Sequence, residues 1–320
     1  MDLSKKKVIF LDTDIGGDCD DAGAIALVNI FKNLGYIDVL GMTHTTSIKY
    51  GPATIDAINT YYGNDFPIGA TKRKNYCLFN TKEFTNKICN AFTHKYDNRD
   101  DIEDAISLIR RLLSTAKDNS VTFVCIGQLN NVSDLLDSRP DKYSSLSGIE
   151  LVKNKVCEFV VMGGLFNESG EKIYFYNQEY KVEYNIACDI KSAQNFIKKV
   201  PVKVVFSDFL NGYQTYTGKS LLENKLNSPV KMAYEIFINK PRESWDLLTV
   251  WYAMFGSDDI FKISCNGTIN ILDDGITLFD NKAKNNHYYL RIINDNSYIE
   301  NKIDNALLKG LKITQKASKI

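Results

Sequence analysis

The stretch FLDTDIGGDCDDAGAIAL, residues 10–27, sets five aspartates (Asp12, Asp14, Asp18, Asp20 and Asp21) within ten residues, between two apolar runs. Carboxylates this close repel one another, and burial disfavours the ionised form of each. A chain that threads them between a buried strand and an apolar helix must neutralise, protonate or solvate them. Few architectures allow that. In open parallel α/β sheets, however, the carboxyl ends of the strands border a crevice in which ligands bind. The run KVIFLD (7–12) is short and apolar up to Asp12, as expected of a strand covered on both faces. The helical stretch 21–34, closed by Gly35, is apolar nearly all round, which predicts a helix sandwiched in the body.

The pattern repeats along the chain. IDVLGMT (37–43), VTFVCIG (121–127), VCEFVVMGG (156–164) and VKVVFS (202–207) read as further strands, and 51–62, 101–117, 130–137 and 189–199 as helices. Strand and helix in alternation predict an α/β fold, a mainly parallel sheet flanked by helices. Residues 165–188 are rich in Tyr, Asn and Glu and predict no simple element. Residues 219–256 read as mainly helical, interrupted by Pro229 and Pro241. From about residue 260, TINILDDGITLF and HYYLRII read as a small antiparallel C-terminal addition. No repeat or low-complexity linker interrupts the chain, so residues 1–320 read as one domain.

Acidic and basic residues balance at 39 each, so no global field favours nucleic acid or anionic lipid. A body of this length buries roughly 75% of the surface its unfolded chain exposes, and needs no disulfides. The seven cysteines are scattered without a CxxC, which fits free thiols in a reducing cytoplasm. The apolar run after MDLSKKK is too short for a secretory signal, and no segment approaches the ~20 apolar residues of a membrane span.

A hard divalent cation is the economical way to neutralise the aspartates. Gly16 and Gly17 would let the loop fold back so that Asp14 and Asp21 face one ion. Asp20 or Asp21 would also suit the N-cap of the following helix. An EF-hand loop is excluded, because Gly23 stands where its last acidic ligand belongs and a strand precedes the loop. FLDTD also resembles the first motif of haloacid-dehalogenase-type phosphatases, with Asp12 as nucleophile and Ser207 as a second motif. The pair Asp273/Asp274 is badly placed for the last motif of that family.

DTDIGGDCDDA (12–22) resembles, in its longer version, the opening motif of the inosine–uridine-type nucleoside hydrolases. CIGQLNN (125–131), VVMGGLF (160–166), NQEYKVEYNIACD (177–189) and SWDLLTVWYA (244–253) are similar to that family's later landmarks, in the same order. The resemblance runs from about residue 8 to 280. It implies a Ca²⁺-dependent enzyme of nucleoside catabolism and purine or pyrimidine salvage. Such an enzyme cleaves the N-glycosidic bond of ribonucleosides to ribose and free base, as a homodimer or homotetramer. Carried over, Asp14, Asp21, Asp246 and the main-chain carbonyl of Asn130 would hold the calcium. Asp20 would be the general base toward a calcium-bound water. Asn177, Glu183 and Asn185 would bind the ribose hydroxyls. The spacing of Glu183 and Asn185 puts both on one face if the segment is extended.

Three departures from the family pattern bear on the site. Trp245 stands where many members place a His before the metal-binding Asp. An indole stacks on a base but cannot usefully protonate one, so the leaving-group acid is unassigned. Tyr174, Tyr176, Tyr180 and Tyr234 are candidates by type. THTTSIKYG (43–51) replaces a Gly-Asn pair and makes His44, at a strand end, a candidate substrate contact. VFSDFLNG (205–212) carries Leu210 where an acid is usual, and a new Asp208. His94 and His287 lie in polar segments expected to be exposed, and receive no role. These departures keep a second reading open, a protein that binds ribose or a nucleoside through calcium without cleaving it.

Overall fold

The computed structural model describes residues 6–78, 83–97, 99–167 and 169–317. Its centre is a nine-stranded sheet. The strands β1 (Lys7–Thr13), β2 (Ile37–His44), β3 (Ile68–Ala70), β4 (Glu103–Asp104), β5 (Val121–Cys125) and β6 (Val156–Met162) are joined by Lys203–Ser207, Phe261–Ile263 and His287–Ile292. From one edge the order is Phe261–Ile263, His287–Ile292, Lys203–Ser207, β6, β5, β1, β2, β3, β4. Every neighbour is parallel except Phe261–Ile263, which runs antiparallel to His287–Ile292. The chain winds outward from β1 through β4, then returns to lay β5 and β6 on the other side. Winding therefore reverses between β1 and β5, and a crevice opens at such a reversal at the carboxyl ends of the strands. The aspartate cluster begins there.

Side-chain alternation along β1 divides the core. Ile9 and Leu11 join one buried cluster and Phe10 the other, on the opposite face of the sheet. Phe10 stacks on Phe123 of β5 with ring centroids 4.6 Å apart. On the first face lies the helix α1 (Asp20–Asn33), buried continuously from Asp20 to Phe31. It packs against the helices Trp245–Phe255 and Asn296–Ala317. The all-round apolar character of its sequence follows from this enclosure. Cys19 occupies its N-cap and makes no side-chain cap, so neither Asp20 nor Asp21 is a cap and both lie in the first turn.

Several elements differ from the sequence expectation. The helix expected over 101–117 begins at Ala105, where Asp104 caps it by accepting the Ser107 N–H, because Glu103–Asp104 is used as the edge strand β4. HYYLRII takes part in two pairings: it runs antiparallel to Phe261–Ile263, as expected of the addition, and it also joins the main sheet. His287–Ile292 lies parallel to Lys203–Ser207 and extends the main sheet, while Thr268–Ile271 and Thr277–Asp280 form a separate antiparallel pair. Alternating apolar residues mark a strand but not its partner, which here follows an excursion of some eighty residues. His287 is buried, not exposed; its Nδ1 accepts the Ile269 N–H at 3.1 Å, and burial lowers its pKa to about 4. The helices Phe84–Ala91, Gly148–Lys155 and Asn296–Ala317 were not anticipated. Among the described residues no helix is long and apolar enough to cross a membrane.

Phe123 stacks on Phe10 and meets Phe159 at 5.1 Å, so Phe123→Ala opens a cavity in the centre of one face. The expected loss is about 3–5 kcal/mol, read as a lower urea midpoint at unchanged slope.

Candidate active site

A cavity of about 360 Å³ opens at the crevice between the ends of β1 and β5. Its acidic wall is Asp14, Asp18, Asp20, Asp21, Glu183 and Asp246; its aromatic wall is Phe175, Tyr180, Tyr184, Phe209 and Trp245. Among the described residues Arg242 is the one Lys or Arg on the lining. A larger hollow of about 870 Å³ lies at the far sheet edge beside Tyr289 and Arg291, away from the carboxylates.

Each acid is placed by a secondary-structure end. Asp14 follows β1 directly. Gly16, with φ +127°, turns the loop back, and a Cβ there would stand 2.9 Å from Ile48. Asp20 and Asp21 occupy the first turn of α1, and Asp246 the first turn of Trp245–Phe255. The Asp246 N–H donates to Asp20 Oδ2 at 3.2 Å, and the Thr13 hydroxyl donates to Asp21. Gln128 Nε2 donates to Asp14 at 2.8 Å and to Asn185 Oδ1 at 3.2 Å. Burial, reinforced by like charges, pushes the pKa of Asp20, Asp21 and Asp246 well up, and carries Asp14 to about 6. Burial likewise lifts Glu183 to about 7.

Asp20, Asp21 and Asp246 each bring a carboxylate oxygen within 4.8 Å of the others. Two oxygens on opposite sides of a hard cation, each bonded at about 2.4 Å, lie about that far apart. Oxygen-only donors, close spacing and unneutralised buried charge make the cluster compatible with a metal ion.

Asp18, the first acid after the glycine pair, is taken up by Arg242. Arg242 Nε reaches its two oxygens at 3.0 and 2.9 Å, and Nη2 also donates to it. Arg242 Nη1 donates to Glu243 and, at 3.1 Å, to the Tyr176 hydroxyl. The guanidinium lies 5.1 Å from the Trp245 ring. Arg242 was missed in the sequence, where it stands among other charged and polar residues (Lys240, Glu243, Ser244), four residues before Asp246.

The other candidates divide. Glu183 and Asn185 line the cavity, but not as an extended strand. Glu183 is the N-cap of the helix Tyr184–Cys188, accepting the N–H groups of Asn185 and Ile186 at 2.8 and 3.1 Å. Asn177 is exposed at the tip of the hairpin Tyr174–Phe175/Gln178–Glu179, in the left-handed region with Tyr176, and does not line the cavity. Asn130 lies behind the wall, its Nδ2 donating to the Thr45 carbonyl at 3.0 Å. Ile126, which follows β5, is the residue of that segment on the lining. His44 is fully buried, with Nε2 at 3.0 Å from the Ile15 carbonyl and Nδ1 at 3.1 Å from Arg99, so neither nitrogen faces the cavity. Asp208 accepts the Phe166 N–H and pairs with Arg291 at 3.0 Å, off the lining.

Trp245 forms wall, as a stacking residue must, and Gly212 lies so flat against it that a Cβ would stand 2.3 Å from the indole. Its Nε1 donates to the Phe209 carbonyl at 2.9 Å and is not free for a leaving base. Of the four candidate tyrosines only Tyr180 lines the cavity. Phe175, Tyr184 and Phe209 were not singled out individually.

The sequence matches the family model described as inosine-uridine preferring nucleoside hydrolase over residues 9–300. The chain belongs to this family. It is thereby a glycosidase acting on nucleosides. The fold agrees with solved structures, among them the inosine-uridine preferring nucleoside hydrolase of Bacillus anthracis (15% identity, 96% of this chain and 99% of that one, TM-score 0.68). The purine-preferring ribonucleoside hydrolase of Gardnerella vaginalis shares 17% identity over 96% of this chain and 100% of its own, at a TM-score of 0.69. A plant nucleoside hydrolase shares 18% over 94% and 99%, at 0.67. A comparison with curated proteins finds no match. The phosphatase reading is overturned. Asp12, its nucleophile, is fully buried off the cavity, with one oxygen held by Thr43 at 2.6 Å and Asn131 at 2.8 Å.

Replacing Arg242 by Met leaves Asp18 without its cation inside the nucleoside hydrolase cavity. The expected loss is about 3 kcal/mol in urea denaturation, with more than half regained in the double variant Arg242→Met/Asp18→Asn.

Proposed function

We propose that this chain hydrolyses a ribonucleoside to ribose and free base in a Ca²⁺-dependent reaction, with Asp20 as general base. The observation that carries the reading is the position of Asp20, buried in the cavity within 4.8 Å of two further carboxylates. Asp14, Asp21 and Asp246 would hold the ion, with the carbonyl of Ile126 rather than Asn130 as main-chain donor, since Ile126 lines the cavity. Calcium, when bound, supplies a Lewis acid that neutralises this wall and orders water and the vicinal ribose hydroxyls.

The chain's own groups account for the rest. Burial and like charges raise the proton affinity of Asp20 toward the working range of a general base, so it accepts a proton from water placed below the sugar. N-glycoside cleavage leaves positive charge on the sugar ring, and the surrounding carboxylates favour that charge over the neutral ground state. Glu183, fixed by three backbone N–H groups, and Asn185, fixed by Gln128, bind the ribose hydroxyls with little freedom to lose. Trp245, Phe175 and Tyr180 offer the base an aromatic wall. Burial holds the Tyr180 proton tightly, so Tyr180 serves the base as hydrogen-bond donor. Free thiols at all seven cysteines support a cytoplasmic role in nucleoside salvage. Assembly as a homodimer or homotetramer is the expectation carried from the resemblance.

Ribose release from a panel of purine and pyrimidine ribonucleosides, with calcium and with excess chelator, tests the reading. Release should require the ion. Asp20→Asn should lower turnover about 10²–10⁴-fold while calorimetry finds calcium still bound. Chelator-insensitive release, or turnover unchanged in Asp20→Asn, removes the assignment. Calcium-dependent ribose binding without release would favour a binding protein.

A further inference from the structure

Expulsion of a nucleobase leaves the electron pair of the glycosidic bond on a ring nitrogen, and a proton delivered there lowers the barrier. Among the described residues no histidine stands on the cavity lining, and the Trp245 N–H is spent on the Phe209 carbonyl. Tyr180 and Tyr184 line the cavity, but burial raises the proton affinity of both hydroxyls, so they hold their protons. Tyr234 is fully buried off the lining. Tyr176, at the mouth, is placed differently. The hairpin Tyr174–Phe175/Gln178–Glu179 turns through Tyr176 and Asn177, at φ 48° and 62°. A two-residue turn with positive φ at both positions favours Asn or Gly there. A tyrosine in the first position is strained, and such outliers cluster at functional sites. Its ring is 70% exposed and packs on Phe175, with centroids 4.3 Å apart. Phe175 in turn meets Trp245 edge-on at 5.9 Å. Only the tip of Tyr176 is tied inward: its hydroxyl oxygen accepts from Arg242 Nη1 at 3.1 Å. Among the described residues no acceptor takes the hydroxyl's own proton.

We propose that the Tyr176 hydroxyl protonates the departing base, with Arg242 as the residue that positions and polarises it. The inference rests on the hydrolytic reading above and supplies the leaving-group acid that Trp245 cannot be. Arg242 lines the cavity beside Trp245, its guanidinium 5.1 Å from the indole ring. A base standing along this wall comes up against the guanidinium, and the Tyr176 hydroxyl lies one hydrogen bond from it. Donation from a cation draws charge off the phenol oxygen and makes its O–H a stronger donor. Asp18 and Glu243 hold the other guanidinium N–H groups, so Arg242 cannot swing away from the hydroxyl. In the reaction the water oxygen bonds to the anomeric carbon while Asp20 takes a water proton. The glycosidic bond breaks, its electron pair goes to the base nitrogen, and the Tyr176 proton joins it there. The tyrosinate left behind keeps its hydrogen bond from the guanidinium, and its exposure lets solvent return the proton. Tyr180 keeps its own proton and offers the base a hydrogen bond only.

The test compares two substrates of the full-length protein with calcium present: the nucleoside cleaved fastest in the panel, and para-nitrophenyl riboside, whose nitrophenolate departs without a proton. Tyr176→Phe removes one exposed hydroxyl, so circular dichroism should match the wild type. It should lower the ratio of kcat on the nucleoside to kcat on the nitrophenyl riboside about 10²-fold. The double variant Arg242→Met/Asp18→Asn should lower the same ratio, because the hydroxyl loses the cation that polarises it. Tyr180→Phe, which removes a hydrogen bond alone, should lower it no more than about tenfold. A purely structural role for Tyr176 would slow both substrates alike and leave the ratio unmoved. An unmoved ratio in Tyr176→Phe, or a larger fall in Tyr180→Phe than in Tyr176→Phe, overturns this inference while wild-type release from both substrates leaves the hydrolytic reading standing. Release from neither substrate by the wild type overturns both.

Discussion

Four buried carboxylates, those of Asp14, Asp20, Asp21 and Asp246, converge on one cavity, and mutual repulsion makes this arrangement costly unless the fold enforces it. Enforcement comes from the two helices that carry three of them. α1 and Trp245–Phe255 are packed against each other in the core, and both present their first turns to the cavity. Helix N-termini carry partial positive charge and unpaired N–H groups, so two of them meeting at one point offset part of the repulsion. The Asp246 N–H on Asp20 is a direct instance. A cation would offset the rest.

The longer acidic loop adds a charge that this arrangement does not have to carry. Asp18 is matched by Arg242, which also reaches the hairpin through Tyr176 and lies over Trp245. One guanidinium thus joins the acidic loop, the aromatic hairpin and the helix start that bears Asp246. Asp18, an acid of the longer loop, and Trp245, a departure from the family pattern, are two sides of this one contact.

The strands β1, β2, β5, β6 and Lys203–Ser207 were legible because they are buried on both faces and their apolar runs are continuous. α1 was legible from its lack of a polar face. The acids of the first motif stood out as a cluster, and Asp246 was reached through the family resemblance; all of them but Asp12 lie on the cavity. What sequence could not show is partnership. The strand His287–Ile292 looks the same whether it closes a hairpin or extends a sheet. His44 at a strand end looks like a ligand until Arg99 and the Ile15 carbonyl are seen around it. Asn130 and Ile126 differ in type, yet which of them lines the cavity is decided by the turn after β5, which the sequence does not show. Arg242 gave no signal because its partners lie 224 residues away at Asp18 and 66 away at Tyr176.

The enclosure of α1 has a consequence for motion. A helix covered by sheet on one side and by two helices on the other has no partial way out. Its amides can meet solvent only when the whole body opens, so they belong to the slowest-exchanging class of the protein. The carboxylates of Asp20 and Asp21 therefore keep their spacing for as long as the chain is folded. Adjustment to ligands falls to the opposite wall, where a two-strand hairpin and a five-residue helix carry the aromatic side chains.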